Sequence, residues 1–267
     1  MLSEVRHRVD GGQTYPVVQL TGVLDAGTAR SVRAWLLDVL AGQPEAVVVD
    51  VRELTVGDPA AVAVLADVAR EAAGWPSSHL LLTTGPKLSA DRADGSGGSA
   101  WRDTGLPLWP TPEQAVAALG APAPHHFFSA SLEPVIGTAR RSRELVTEAC
   151  VRWDLPDLAG PACIVVTEMV NNVIAHAKTS MTVMLARHGE RMSVAVRDQS
   201  THVPHFTGAP VPVTSYGGRG LLLIDSVARS WGSLVLTDGK VVWAVLDPHD
   251  QPGKQLPSTG MAGQARG

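Results

Sequence analysis

V-V-T-E-M-V-N-N-V-I-A-H-A-K, residues 165 to 178, reads as one buried helix carrying a polar row. Glu168, Asn172 and His176 recur at every fourth position, and on an α-helix such positions fall on roughly one side. Polar side chains on an otherwise apolar helix need partners, because burying them unpaired is costly. A carboxylate and an amide held in this row can serve a metal-bound polyanion. Only Asn172, and not its neighbour Asn171, has the i+4 spacing from Glu168.

Downstream the period changes to two. S-M-T-V-M-L-A-R, then H-G-E, then R-M-S-V-A-V-R-D is a hairpin with a Gly-containing turn, and its second strand ends on Asp198. A carboxylate at a strand end can accept a hydrogen bond from an exocyclic amine such as that of adenine. Residues 201 to 216 are Pro- and Gly-rich without periodicity, which predicts a long loop. Gly217-Gly218-Arg219-Gly220 then runs into L-L-L-I-D-S-V-A-R-S-W, a helix expected to stop at Gly232.

Glycines opening a helix expose free backbone N–H groups at its positive end, which suits phosphates. The absence of Cβ lets phosphate oxygens approach the backbone. The closing hairpin is S-L-V-L-T, the turn Asp238-Gly239, and K-V-V-W-A-V-L. Taken singly, each element has a structural alternative. G-G-R-G can be a turn, Asp198 a solvated loop residue or cap, and Glu168 with Asn172 a satisfied polar pair. His176 is better read as a satisfied helix histidine than as a catalytic one.

Upstream, residues 1 to 120 alternate strands and helices, the mark of an α/β layer. Tyr15–Leu20 and His79–Thr84 read as strands, and Ala46–Val51 as a central strand buried on both faces. Thr28–Leu40 has its apolar residues at helical spacing. Asp58 suits an N-cap with Pro59 at the first helical position, and Thr111, Pro112 and Gln114 open a last capped helix. Asp94–Ala100 is a flexible loop by composition, residues 121–131 a linker, Leu132–Arg152 an amphipathic helix, and 248–267 a disordered tail. The division is therefore 1–120, a linker at 121–131, a second domain over 132–247, and the tail.

Composition narrows the function classes. The 267 residues are 45% hydrophobic and 18% charged, with a formal net charge of −4. That gives no basic footprint for direct nucleic-acid binding and no cationic face for anionic lipid. Cys150 and Cys163 are too few for a disulfide framework or a four-ligand zinc site. The start lacks a signal-peptide core, and no uninterrupted apolar run approaches the ~18 to 20 residues that span a bilayer. The expectation is a cytoplasmic protein with no membrane partner.

Two resemblances follow from these strings. G-V-L-D at 22 to 25, V-V-V-D-V at 47 to 51 and L-P-L-W-P-T-P-E-Q-A-V-A-A-L resemble the STAS domain of anti-sigma factor antagonists. Antagonists of that family carry a phosphorylatable Ser in a D-S-[ST]-G pattern. Here the stretch is Asp58-Pro59-Ala60-Ala61, so the hydroxyl is missing while the helix start is kept. The resemblance thus implies a degenerate module used for contact or scaffolding.

T-E-M-V-N-N-V-I-A-H-A, V-R-D-Q-S-T-H-V-P, G-G-R-G-L-L-L-I-D-S-V-A-R-S-W-G and G-K-V-V-W resemble the GHKL ATPases, specifically the anti-sigma factor serine kinases. The fold implied is an N-terminal STAS-like α/β domain followed by a GHKL (Bergerat) ATP-binding α/β sandwich. By resemblance, Asn172 coordinates the Mg²⁺ that bridges the ATP phosphates, and Glu168 is the general base for a hydroxyl. Asp198 binds adenine, and Gly218, Arg219 and Gly220 form the phosphate loop. Ser200 departs from the D-x-G form of the first glycine box.

Histidine kinases share this ATP fold but need a helical hairpin with a phosphoacceptor histidine, which the region before Leu132 does not offer. The implied activity is a Mg·ATP-dependent serine/threonine-protein kinase acting on a separate STAS antagonist, with a sigma factor as the other partner. The alternative is a non-catalytic ATP-binding module that sequesters a sigma factor or partner, with the STAS domain docking or autoinhibiting. Oligomeric state stays open, a homodimer included.

Overall fold

The apolar run A-V-V-V-D-V lies at the centre of a five-stranded sheet in the computed structural model of the chain. The chain divides into two units, Met1–Pro124 and His125–Gly267. The structure describes residues 4–10, 15–72, 79–85, 98–120, 127–202 and 219–249.

In the first unit the strands run β1 (Val5–Asp10), β2 (Val17–Leu24), β3 (Ala46–Val56), β4 (His79–Thr83) and β5 (Leu108–Trp109), in that spatial order. β1 is antiparallel to β2, and the other neighbours are parallel. The first six residues of β3 are all buried, as a parallel strand covered on both faces requires. The helices are α1 (Ala29–Ala41), α2 (Ala63–Ala72), α3 (Gly98–Arg102) and α4 (Pro112–Leu119).

The caps expected from sequence are in place. Asp58 Oδ1 accepts the Ala60 N–H at 2.9 Å and opens a 3₁₀ turn, Pro59–Val62, that leads into α2. Thr111 Oγ1 accepts the Gln114 N–H at 3.4 Å at the head of α4.

Two differences stand out in this unit. The edge strand β1 was not expected: V-R-H-R-V-D buries only Val5, so it has no apolar alternation to read. Its charged side chains are what an edge strand uses to discourage further pairing. The end of the glycine-rich D-G-S-G-G-S-A stretch is not loop but the start of α3, anchored by buried Trp101.

The second unit has β6 (Phe127–Leu132), α5 (Thr138–Trp153), α6 (Ala159–Asn172), β7 (Met181–His188), β8 (Arg191–Asp198), α7 (Arg219–Val227), β9 (Ser230–Val235) and β10 (Lys240–Leu246). The sheet is antiparallel throughout, in the order β6-β7-β8-β10-β9. The apolar faces of α5 and α6 and the inward residues of β7, β8 and β10 share one core, with Met169, Val170, Val194, Val196, Val242 and Ala244 among its members. Burial pushes the Cys150 thiol up to about 11, with Cys163 adding a little, so this core residue stays a thiol.

Four expectations are corrected here. Phe127–Ser131 is not linker: it pairs with β7 as β6, its side chains alternating exposed and half-buried. The following helix starts at Thr138, not Leu132, after Gly137 turns the chain with a φ of 99°. α7 stops at Val227 and not at Gly232, which sits in β9. There the indole of Trp243 covers it so closely that a Cβ would stand 2.9 Å from the ring.

The 165–178 stretch is not one regular helix either. α6 ends at Asn172 and continues as a π-turn, Val173–Ala177, closed by Lys178 in a left-handed conformation. Most of the 201–216 loop and nearly all of the 248–267 tail lie outside the described residues. Among the described residues, Pro156–Ala177 is one stretch long and apolar enough to cross a membrane. It consists of α6 with its flanking turns, and its apolar side is taken up by the core.

Candidate functional site

α6 buries Val165, Val166, Met169 and Val170 and leaves Glu168 and Asn172 half-buried on its shoulder, while Asn171 is exposed. Exposure therefore separates the two asparagines as the spacing does. The π-turn begins directly after Asn172, so the α-helical row holds for Glu168 and Asn172 and is broken before His176, which is exposed. Among the described residues, no side-chain hydrogen bond or ion pair engages Glu168 or Asn172. Both are available to a ligand.

α7 meets α6 at its first turn. A Cβ built on Gly220 would stand 2.7 Å from Glu168 Oε2, so only glycine leaves that carboxylate in place. Arg219 is the first residue of α7, with its side chain outside the described residues, as is all of Gly218. The structure thus brings Glu168 and Gly220 together.

Asp198 ends β8 on the same strand face as Val194 and Val196, the face that α6 covers. It is only 3% exposed. Its Oδ1 accepts the Ser200 N–H at 2.7 Å and a Lys240 Nζ–H at 2.9 Å, and Nζ lies 2.8 Å from Oδ2. Lys240 also donates to the Ser200 carbonyl at 3.2 Å. At Ser200 the backbone N–H, which glycine would supply equally, holds Asp198, while its Oγ accepts the His202 N–H at 3.3 Å. Gly239 presses its backbone against the Asp198 carbonyl, where a Cβ could not fit.

Lys240 is the site residue that sequence reading missed. It lies directly opposite Asp198 across the β8–β10 pairing. These strands are not consecutive, so no turn length in the sequence fixes their register. The only signal was a lysine next to a turn in a chain with four.

Among the described residues, no three His, Cys, Asp or Glu side chains converge as a metal-ligand set. Mg²⁺ is commonly held by one or two protein groups plus substrate phosphates, so an amide and a carboxylate on one helix suit it better than a cage would. A buried carboxylate for an amine, a glycine in the first turn of α7 against Glu168, and an amide next along the same row of α6 fit a Mg²⁺-nucleotide.

Comparison with known families agrees with this geometry. Residues 7–82 match the Mlab STAS domain model, and residues 129–246 match the histidine kinase-like ATPase domain model. The chain joins a STAS domain to a histidine kinase-like ATPase domain. All the described site residues fall inside the ATPase match, and nucleotide binding is what such a domain implies.

Among solved structures, an anti-sigma factor antagonist from Mycobacterium paratuberculosis aligns at 21% identity. It covers 43% of this chain and 93% of its own, with a TM-score of 0.34. The anti-sigma factor antagonist SpoIIAA in its unphosphorylated form aligns at 16% identity, over 43% of this chain and 96% of its own, with a TM-score of 0.33. No curated protein matches the sequence. A STAS domain and this type of ATPase domain in one chain fit regulation by partner switching.

Proposed function

We propose that the chain is an ATP-binding anti-sigma regulatory protein whose ATPase domain phosphorylates a serine on a separate STAS antagonist. The observation that supports this reading is the apposition of Glu168 on α6 to Gly220 at the head of α7, with Asn172 next along the same row.

Bound Mg·ATP would supply the transferable phosphoryl group and spread its charge over the metal. The protein's part is positioning. Asn172 would hold the metal through its amide oxygen, and the first N–H groups of α7 would donate to phosphate oxygens. Asp198 accepts the amine hydrogen of the base. Glu168 takes the proton of the incoming serine hydroxyl at a carboxylate oxygen.

The STAS domain is better suited to contact than to accepting phosphate. Pro59 and Ala60 occupy the exposed turn where an acceptor hydroxyl would have to stand. The domain limits we adopt are those of the sequence reading, with the second domain extended back to Phe127 to include β6.

Incubation with labelled ATP and candidate STAS proteins tests the assignment. Transfer is expected with the wild type and is expected to fall by about 10² or more in Glu168→Gln, which should still bind nucleotide. Equal transfer by the variant would remove Glu168 from its role. Nucleotide binding without transfer to any STAS partner would leave a sequestering module instead.

A further inference from the structure

Arg8, Gln19, Asp50, Thr83 and Trp109 stand directly opposite one another across the five strands of the first sheet. Residues paired in this way point to one face, so every strand adds one member to a polar row. The neighbouring row on that face, Val17, Val48 and Leu81, is apolar and shares a small core with Ala115 of α4. At its β1 end the polar row opens into a cleft of about 200 Å³ between the strands and the first turn of α4. Pockets for drug-sized ligands run to about 300–1,000 Å³, so this one suits a smaller molecule.

The cleft carries both signs of charge. Asp50, 3% exposed, is already engaged: Arg52 binds it through Nε and Nη2 at 2.8 Å each, and the Thr83 hydroxyl donates to it at 3.0 Å. The donors left for a ligand are the remaining terminal nitrogen of Arg52, the Arg8 guanidinium and the Gln19 amide. Arg8 and Gln19 make no side-chain hydrogen bond among the described residues. Glu113, in the first turn of α4, lines the same cleft. The Thr111 hydroxyl and the Glu113 backbone N–H hold its carboxyl below the ordinary carboxylate range, so it is ionised at neutral pH. Asp10, opposite Val17, adds a second carboxylate to the lining.

We propose that this cleft of the STAS domain is a binding site for a small zwitterion, a free amino acid, with its carboxylate on Arg8, Gln19 and Arg52 and its ammonium on Glu113. A simple anion held by Arg8 would sit among the Glu113 and Asp10 charges, and a simple cation would sit among the Arg8 and Arg52 guanidiniums. A ligand with both signs avoids both repulsions. The groups match as well: a guanidinium fork suits a planar carboxylate, and an ammonium has only donors, which a carboxylate accepts. The proposal stands apart from the nucleotide site, whose residues belong to the other domain.

Calorimetry on the full chain without nucleotide tests this, with the standard amino acids as probes. For each one that binds, its deaminated acid and its decarboxylated amine are the controls. At least one amino acid is expected to bind at millimolar affinity or better, and both of its analogues about tenfold or more weakly. Arg8→Ala is expected to cost about tenfold or more in that affinity, and Gln19→Ala about threefold. Arg8 is exposed on an edge strand, so its variant should melt close to the wild type. Binding of no amino acid, or of an analogue as tightly as its parent, overturns the proposal. So does a folded Arg8→Ala that binds as the wild type does. If Arg8→Ala does not fold, Gln19→Ala decides by the same comparison.

Discussion

The α-carbon of Gly220 faces the Glu168 carboxylate so closely that an added methyl would stand 2.7 Å from Oε2. Two helices far apart in sequence thus meet through one residue with no side chain and one with a charge. The atom in the way is the far end of a flexible side chain, so an alanine at 220 can be accommodated by moving Glu168. That separates stability from function. Alanine is the better helix former by roughly 1 kcal/mol, which offsets the local crowding. Gly220→Ala should therefore keep or slightly raise the melting temperature while lowering phosphoryl transfer at least about tenfold. A variant that loses transfer only in step with stability would contradict this.

The two adjacent asparagines give an internal control. Asn172 is half-buried on the Glu168 side of α6, and Asn171 is exposed. Asn172→Ala should abolish the part of ATP affinity that depends on Mg²⁺ and leave the metal-free affinity close to that of the wild type. Asn171→Ala should change neither. Titrations with Mg²⁺ and with a chelator read both quantities, and equal effects of the two substitutions would refute the assignment of the metal to Asn172.

In the STAS domain, Asp50 provides a pH-dependent prediction. Burial alone would raise its carboxyl. The hydrogen bonds from Arg52, at 2.8 Å to each oxygen, and from Thr83, at 3.0 Å, outweigh that and hold it below the ordinary value of 3.8. A carboxylate with a lowered value in the folded chain contributes stability that is present above its unfolded value. That contribution is lost as pH falls through the folded value. Asp50→Asn should thus cost roughly 1 to 3 kcal/mol at pH 7, with a gap to wild type that begins to narrow below about pH 4. Urea unfolding read by hydrogen exchange in β3 peptides measures the gap, and one that is constant with pH would show that charge is not its origin.

What the sequence made legible was whatever repeats along one segment. The Glu168 and Asn172 spacing, the period-two run ending on Asp198 and the Asp58 and Thr111 caps are all local, and the structure keeps them. The misses share a different cause. β6 hid behind a Pro- and His-rich approach because F-F-S-A-S-L faces neither a full core nor open solvent. β1 hid because a charged edge strand has no apolar period. His176 left the polar row because a π-turn cannot be counted from composition. The Lys240 partnership depends on register between non-consecutive strands, which only the assembled sheet defines.

That register has one more consequence. Four residues, 236–239, separate β9 from β10, and Leu236 N–H closes the turn on the Gly239 carbonyl at 2.9 Å. Side chains alternate faces along β10, so a one-residue slip of this strand against β8 would turn Lys240 outward and bring Gly239 or Val241 opposite Asp198. The pairing of β10 with β8 across the sheet, and not the residues of the turn, therefore sets which side chain meets Asp198. Substitutions at exposed Asp238 leave that pairing in place, whereas a one-residue slip of β10 would part Lys240 from Asp198.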